Sequence, residues 1–321
     1  MRSSGKQIAI TLAIHSTQGE NMPNGQPNPA SDPEGTFNST LTFLERLPNR
    51  RRLKPVSSFV KFATQKFYNL VSNLDRDSKL VFMNYGYTSF DPNHKPLELR
   101  PEDENFRYQI QMYHHIASSA DWTGRDGLEV GSGRGGGAAF ITRHFKPRSM
   151  TGVDLSDRAV AFCKRHHSAV EGLRFVHGDA EALHFPDESY DIIINVESSL
   201  YYPNVENFFQ HVVRLLKPNG YFLYADMRYL DEVENWRKQL SNTGLVVLSE
   251  EDITHNARHA LSLNQEFRRE LVQKYAPGLL RKIFSRFGGA DGGRLAGDIH
   301  TAKKRVYKKF VLQKSKPMPI Q

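Results

Sequence analysis

Leu128-Glu129-Val130-Gly131-Ser132-Gly133-Arg134-Gly135-Gly136-Gly137 is the stretch on which the fold turns. Leu128 to Val130 reads as a buried strand that runs straight into a glycine-rich turn, and Ala138 to His144 reads as the helix that follows. Glycines let a backbone pass close to a ligand without a Cβ clash, and the start of the next helix offers unpaired N–H groups at the same spot. A tight turn would need the same glycines, so the rest of the reading depends on what lies downstream.

Two downstream features favour a ligand site. Met150 to Leu155 reads as the next strand, with Asp154 at its C-terminal end, about twenty residues beyond the glycines, where a carboxylate can accept both hydroxyls of a ribose. Leu173 to Val176 reads as a third strand running into Gly178-Asp179-Ala180-Glu181, where a second carboxylate can accept from an adenine amino group. Glycines, ribose acid and adenine acid on consecutive strand ends would lay an adenosine along one sheet edge. Helix Arg158 to His167, strand Tyr190 to Val196, helix Val205 to Leu216 and strand Tyr221 to Ala225 continue the alternation. That pattern predicts an α/β domain, a mostly parallel sheet covered by helices. Leu230 to about Phe287 is expected to be mainly helical, and Arg305 to Gln313 to form a last strand.

This ordered set resembles the class I S-adenosylmethionine-dependent methyltransferases over about Tyr108 to Ala225. Asp187 to Asp191 looks like the fourth-strand signature, and Leu215 to Tyr221 like the turn into the fifth. The resemblance implies a Rossmann-like, mostly parallel seven-stranded sheet in a methyltransferase domain at 107–316, with a helical lid inserted at 230–293 before the last strands. It implies S-adenosyl-L-methionine as cofactor, held by Tyr113, Glu129, Gly131, Gly133, Gly135, Asp154, Asp179, Ala180 and Asn195. The counterpart of Glu129 orders the loop around the methionine amino group, and a nicotinamide enzyme needs neither that acid nor Gly-Asp-Ala-Glu.

A nearer resemblance rests on Val81 to Tyr87, Met112-Tyr113-His114, the glycine loop, Asn195-Val196-Glu197-Ser198 followed by Tyr202-Pro203, and Tyr224 to Arg228. These segments are similar to the mycobacterial phthiotriolone and phenolphthiotriolone dimycocerosate methyltransferases and related lipid or polyketide O-methyltransferases. The implied acceptor is a hydroxyl on a lipophilic chain. Ser199-Leu200-Tyr201 departs from that branch in the acceptor-facing segment, so the particular substrate does not carry over.

Methyl transfer requires in-line alignment in a dry pocket and removal of a proton from the acceptor. The candidate catalytic residues are His114, Glu197 and Tyr202, with His114 the natural base near neutral pH and a solvent-facing helix histidine as its plain alternative. A C-methyltransferase acting on a sterol, tocopherol or quinone-like ring stays open, with Glu197 stabilising a cation or acting on carbon. His166 and His167 are adjacent and point apart, while His255 and His259 share a helical face without a third ligand. The catechol-type magnesium pattern is missing too, so metal independence is expected.

The 321 residues are 39% hydrophobic and 24% charged, enough for a sizeable core. Residues 1–45 are rich in Ser, Asn, Gly, Pro and Gln and are expected to be a disordered tail. Ile8 to Ile14 is short for a signal sequence and lacks a cleavage site. Cys163 is the only cysteine, which excludes an intrachain disulfide and fits a cytoplasmic setting, and no run approaches the roughly 20 apolar residues of a membrane span. The net charge of +8 is concentrated in Arg46 to Lys66, which holds no acid, and in the C-terminal third. Residues 46–106 read as a basic amphipathic helix followed by a linker; its 46–74 part can lie on a membrane surface or pack on the main domain. No RNA-binding module accompanies the basic runs, so no nucleic-acid partner is expected. A non-catalytic binder of the same fold is the remaining alternative.

Overall fold

The computed structural model describes residues 80–275, 278, 281 and 304–316. The expected tail, the basic helix and the last part of the expected lid, 282–293, lie outside them. In chain order the elements are α1 (Arg107–Ala117), β1 (Asp126–Val130), α2 (Gly136–Phe145), β2 (Ser149–Asp154), α3 (Asp157–His166), β3 (Leu173–His177) and β4 (Tyr190–Val196). There follow α4 (Val205–Leu215), β5 (Leu216–Tyr229), α5 (Val233–Ser241), β6 (Val246–Asp252), α6 (Thr254–Leu263), α7 (Gln265–Tyr275) and β7 (Arg305–Gln313). Among the described residues no helix is long and apolar enough to cross a membrane.

The seven strands form one sheet in the order β3-β2-β1-β4-β5-β7-β6. The first five are parallel, and β7 runs antiparallel between β5 and β6. Strand order reverses between β1 and β4, which opens a crevice at the C-terminal ends of those strands, where ligands bind in open α/β sheets. The alternation of side chains shows that both faces are covered. Ile192, Ile194, Leu223, Ala225, Tyr307 and Val311 join one buried cluster with α1, α2 and α6. Ile193, Phe222, Tyr224, Phe310 and Leu312 join the other with α4 and Trp236.

Two expectations are refined. The described part of the 230–293 stretch is mainly helical, as expected, and also holds Val246–Asp252 as the edge strand β6. Its residues are mostly exposed and do not alternate; it is held by ladder bonds to β7 and by ion pairs of Glu250 with Lys308 (2.9 Å) and Glu251 with Lys309 (3.3 Å). The second change is that β5 begins at Leu216, inside the expected turn: Tyr190 pairs with Leu216 and Ile192 with Tyr221, so 217–220 form an irregularity within the strand.

Candidate active site

The loop after β1 takes the conformations its glycines permit. Gly131, Gly133 and Gly135 all have positive φ, and a Cβ on Gly131 would lie 1.9 Å from Ser198 Oγ. The Gly131 and Ser132 amides donate to Val153 O at 2.8 and 3.0 Å, tying the loop to β2. Asp154, at the end of β2, accepts from the Gly133 amide through Oδ2 and from the Ser156 amide through Oδ1, both at 2.8 Å. Burial raises its pKa to about 6, against the pull of those amides. Asp179 and Ala180 follow β3, with Asp179 Oδ1 accepting from the Glu181 amide at 3.0 Å.

These residues border a cavity of ≈ 220 Å³. Gly131, Gly133, Asp154, Asp179, Ala180, Tyr113, Glu197 and Tyr202 line it, whereas Gly135, Glu129, Asn195 and His114 do not. Glu129 is buried behind the loop, where its Oε1 accepts from the Tyr113 hydroxyl at 2.7 Å. Its Oε2 has no partner among the described residues, and burial pushes its pKa up to about 8. Asn195 Nδ2 donates to Val130 O (2.8 Å) and to the Tyr202 hydroxyl (3.2 Å), so it braces the end of β4 against β1. The expected cofactor set therefore divides into residues on the wall and residues that hold the wall in place.

His114 is the one catalytic candidate that does not line the cavity. Its ring packs beside Phe140, His144 and Phe145, and burial followed by the neighbouring histidines lowers its pKa to about 4. Successive helix residues point about 100° apart, so α1 can turn Tyr113 into the cavity only by turning His114 elsewhere.

Glu197 lines the cavity from the end of β4. It follows β4 with φ 51°, a left-handed conformation costly for a residue with a Cβ, and its amide still donates to Ala225 O at 2.9 Å. Glu197 Oε1 accepts from the Tyr85 amide (2.7 Å) and from the Tyr307 hydroxyl (2.9 Å). Burial is the largest influence on this carboxyl and brings its pKa up to about 7, with those two donors opposing. Tyr202 is a poor base: burial raises its pKa further, and its hydroxyl pairs with Ser198 Oγ at 2.6 Å.

Sequence reasoning missed Arg268, Leu271, Val272 and Tyr275, which recur at helical spacing on α7 and line the cavity. Arg268 Nη2 donates to Asn84 O (2.8 Å) and Tyr85 O (3.1 Å), and burial lowers its pKa to about 10. The i, i+3, i+4, i+7 spacing was the available signal. Other apolar residues of the expected lid lie away from the cavity: Trp236, Leu245, Leu261 and Phe267 pack in the two clusters, while Val246, Val247, Leu248 and Leu263 are exposed.

The residues present fit S-adenosylmethionine. The positive-φ glycines leave a cradle that a Cβ at Gly131 would fill, and carboxylates stand at the ends of β2 and β3 beside the cavity. Asp154 would hold the ribose hydroxyls, Asp179 the adenine amino group, and the glycine loop, backed by Glu129, the amino-acid end.

Residues 128–224 match the methyltransferase domain family. The chain is 40% identical over 245 residues to the fatty-acid O-methyltransferase of Mycolicibacterium smegmatis, covering 76% of this chain and 88% of that one. It is 38% identical over 260 residues to the phthiotriol/phenolphthiotriol dimycocerosates methyltransferase of Mycobacterium tuberculosis, covering 81% and 93%. Two solved structures share the fold at low identity. The [4+2]-cyclase SpnF has a TM-score of 0.60 at 19% identity, covering 79% of this chain and 96% of that one. The cyclopropane synthase MmaA2 from Mycobacterium tuberculosis has 0.60 at 14%, covering 78% and 98%. A sheet of this order, a glycine cradle flanked by two strand-end carboxylates, and close relatives over most of its length make this chain a member of the S-adenosylmethionine-dependent methyltransferase family.

Proposed function

We propose that this enzyme methylates a hydroxyl oxygen on a lipid- or polyketide-derived chain, without a metal, using Glu197 as general base. The observation that carries the reading is a carboxyl on the wall of an apolar seat: Glu197 shares its cavity with Phe106, Leu200, Met227, Leu271, Val272 and Tyr275. S-adenosylmethionine, when bound, supplies an electrophilic methyl group. The chain's own part is to bring the acceptor oxygen next to that group, to exclude water with the apolar wall, and to take the hydroxyl proton on Glu197. A carboxyl titrating near 7 is ionised often enough at neutral pH to do so, and basic enough to accept the proton. Tyr202, Ser198 and Asn195 keep the floor of the site rigid. The two relatives named above, one acting on fatty acids and one on phthiotriols, support a long lipophilic acceptor. The basic stretch Arg46 to Lys66 supports work close to an anionic membrane surface, where such acceptors reside.

Incubation with isotopically labelled S-adenosylmethionine and a panel of long-chain alcohols, fatty acids and quinone-like rings, read by mass spectrometry, tests the proposal. Label on an alcohol oxygen, lost in Glu197→Gln, is expected. Label confined to a carboxylate would replace the hydroxyl with an acceptor that needs no base, and label on carbon would favour the ring C-methyltransferase.

A further inference from the structure

Tyr307 comes from the last strand, far in sequence from the loop and acid motifs, yet its hydroxyl ends on Glu197. We infer that Tyr307 is a positioning residue for the methyl transfer: with the Tyr85 amide it fixes Glu197 through Oε1 and reserves Oε2 for the acceptor's proton. This rests on the reading of Glu197 as the base.

The geometry supports the assignment at each step. Tyr307 is fully buried, and its own backbone is pinned on both sides, its amide donating to Thr254 Oγ1 (2.8 Å) and its carbonyl accepting from the Ile253 amide (2.9 Å). Its position in the ladder, opposite Met227, brings the ring to the cavity end of the sheet. Both donors to Glu197 among the described residues converge on one oxygen. A carboxylate so held cannot rotate to exchange its oxygens without breaking two hydrogen bonds, so Oε2 is the oxygen left for chemistry. Left-handed backbone at Glu197 fixes the root of the side chain as the two donors fix its tip.

The groups around this carboxyl come from five elements: the Tyr85 amide from the segment before α1, Tyr113 from α1, Asp226 from β5, Arg268 from α7 and Tyr307 from β7. Asp226 favours protonation, whereas Arg268 and the two hydrogen bonds favour the ionised form. In the reaction the acceptor oxygen gains the methyl group and loses its proton to Oε2, while the electron pair of the broken sulfur–carbon bond stays on sulfur. Tyr307 forms and breaks no covalent bond.

The test is the pH dependence of kcat/KM with a neutral long-chain alcohol, for the full-length enzyme and two Tyr307 variants. Tyr307→Phe removes a donor that stabilises the ionised carboxyl, so the acidic limb is expected to move to higher pH, with the rate recovering at alkaline pH. Replacement of Tyr307 by 3-fluorotyrosine, isosteric and a stronger donor, is expected to move the limb to lower pH. pH-difference infrared spectra, with Glu197→Gln as the blank, read the same carboxyl directly and do not require turnover. Uniform loss of rate with an unmoved limb and an unmoved infrared titration would assign Tyr307 a merely structural role and overturn the inference. Full activity in Glu197→Gln would instead overturn the assignment of the base itself, whatever the Tyr307 variants do.

Discussion

The Tyr113 hydroxyl donates to Glu129 Oε1 at 2.7 Å, joining α1 to the strand that launches the glycine loop. The carboxyl it meets ionises near 4.5 when free and near 8 in the fold, mainly through burial. Between those values the folded state keeps a proton that the unfolded chain has released, so this group's contribution to stability is lost as pH rises from about 4.5 to about 8. Glu129→Gln removes that loss. Calorimetry of the cofactor-free protein should give a melting-temperature difference, variant minus wild type, that is more positive at pH 8 than at pH 5; a difference independent of pH would contradict the assignment.

His114→Ala should leave kcat within about twofold of wild type, because the ring packs against Phe140, His144 and Phe145 instead of facing the cavity. The expected cost is about 1 kcal/mol of stability from lost aromatic contacts. Steady-state kinetics beside a denaturant titration separates the two effects, and a hundredfold drop in kcat would return His114 to the chemistry.

Gly131→Ala and Gly124→Ala both place a side chain on left-handed backbone, yet only the first meets an obstacle. At Gly124 nothing lies within 4 Å of the new Cβ, so the cost is the conformational one, about 1–2 kcal/mol. At Gly131 the Cβ would meet Ser198 Oγ at 1.9 Å and Ser198 Cβ at 2.6 Å. Titration calorimetry should find cofactor binding lost in Gly131→Ala and intact in Gly124→Ala, with Ser198→Gly restoring part of it in the Gly131→Ala background.

Leu271→Trp on α7 should shift acceptor preference toward shorter chains, raising KM for the longest acceptors about tenfold, a change of roughly 1.4 kcal/mol. Leu263→Trp, on the exposed side of α6, is the control and should change nothing. Equal KM values across a chain-length series in both variants would remove α7 from the acceptor seat.

What the chain announced in advance is what local pattern encodes. The glycine run, the acids after β2 and β3, and β4 from Tyr190 to Val196 all lie where spacing and hydrophobicity put them. Edge strand β6 escaped because Val246-Val247-Leu248 lacks alternation; its pairing depends on lysines more than fifty positions away. His114 was named on residue type, while helix geometry, which turns Tyr113 to the cavity, points it elsewhere. Tyr307 had no local signature at all, and the helical spacing that includes Arg268 does not say what it faces, since only the finished topology brings both beside Glu197.

The antiparallel strand lodged between β5 and β6 also sets an order of events in synthesis. Until residues 305–313 leave the ribosome, β5 has an open edge and β6 has no partner in the sheet. The nucleotide-binding half, whose strands all precede residue 230, can assemble without waiting. Nascent chains would thus pass through an interval in which they capture the cofactor but lack the strand that steadies Glu197, and competence for transfer would await residues 305–313.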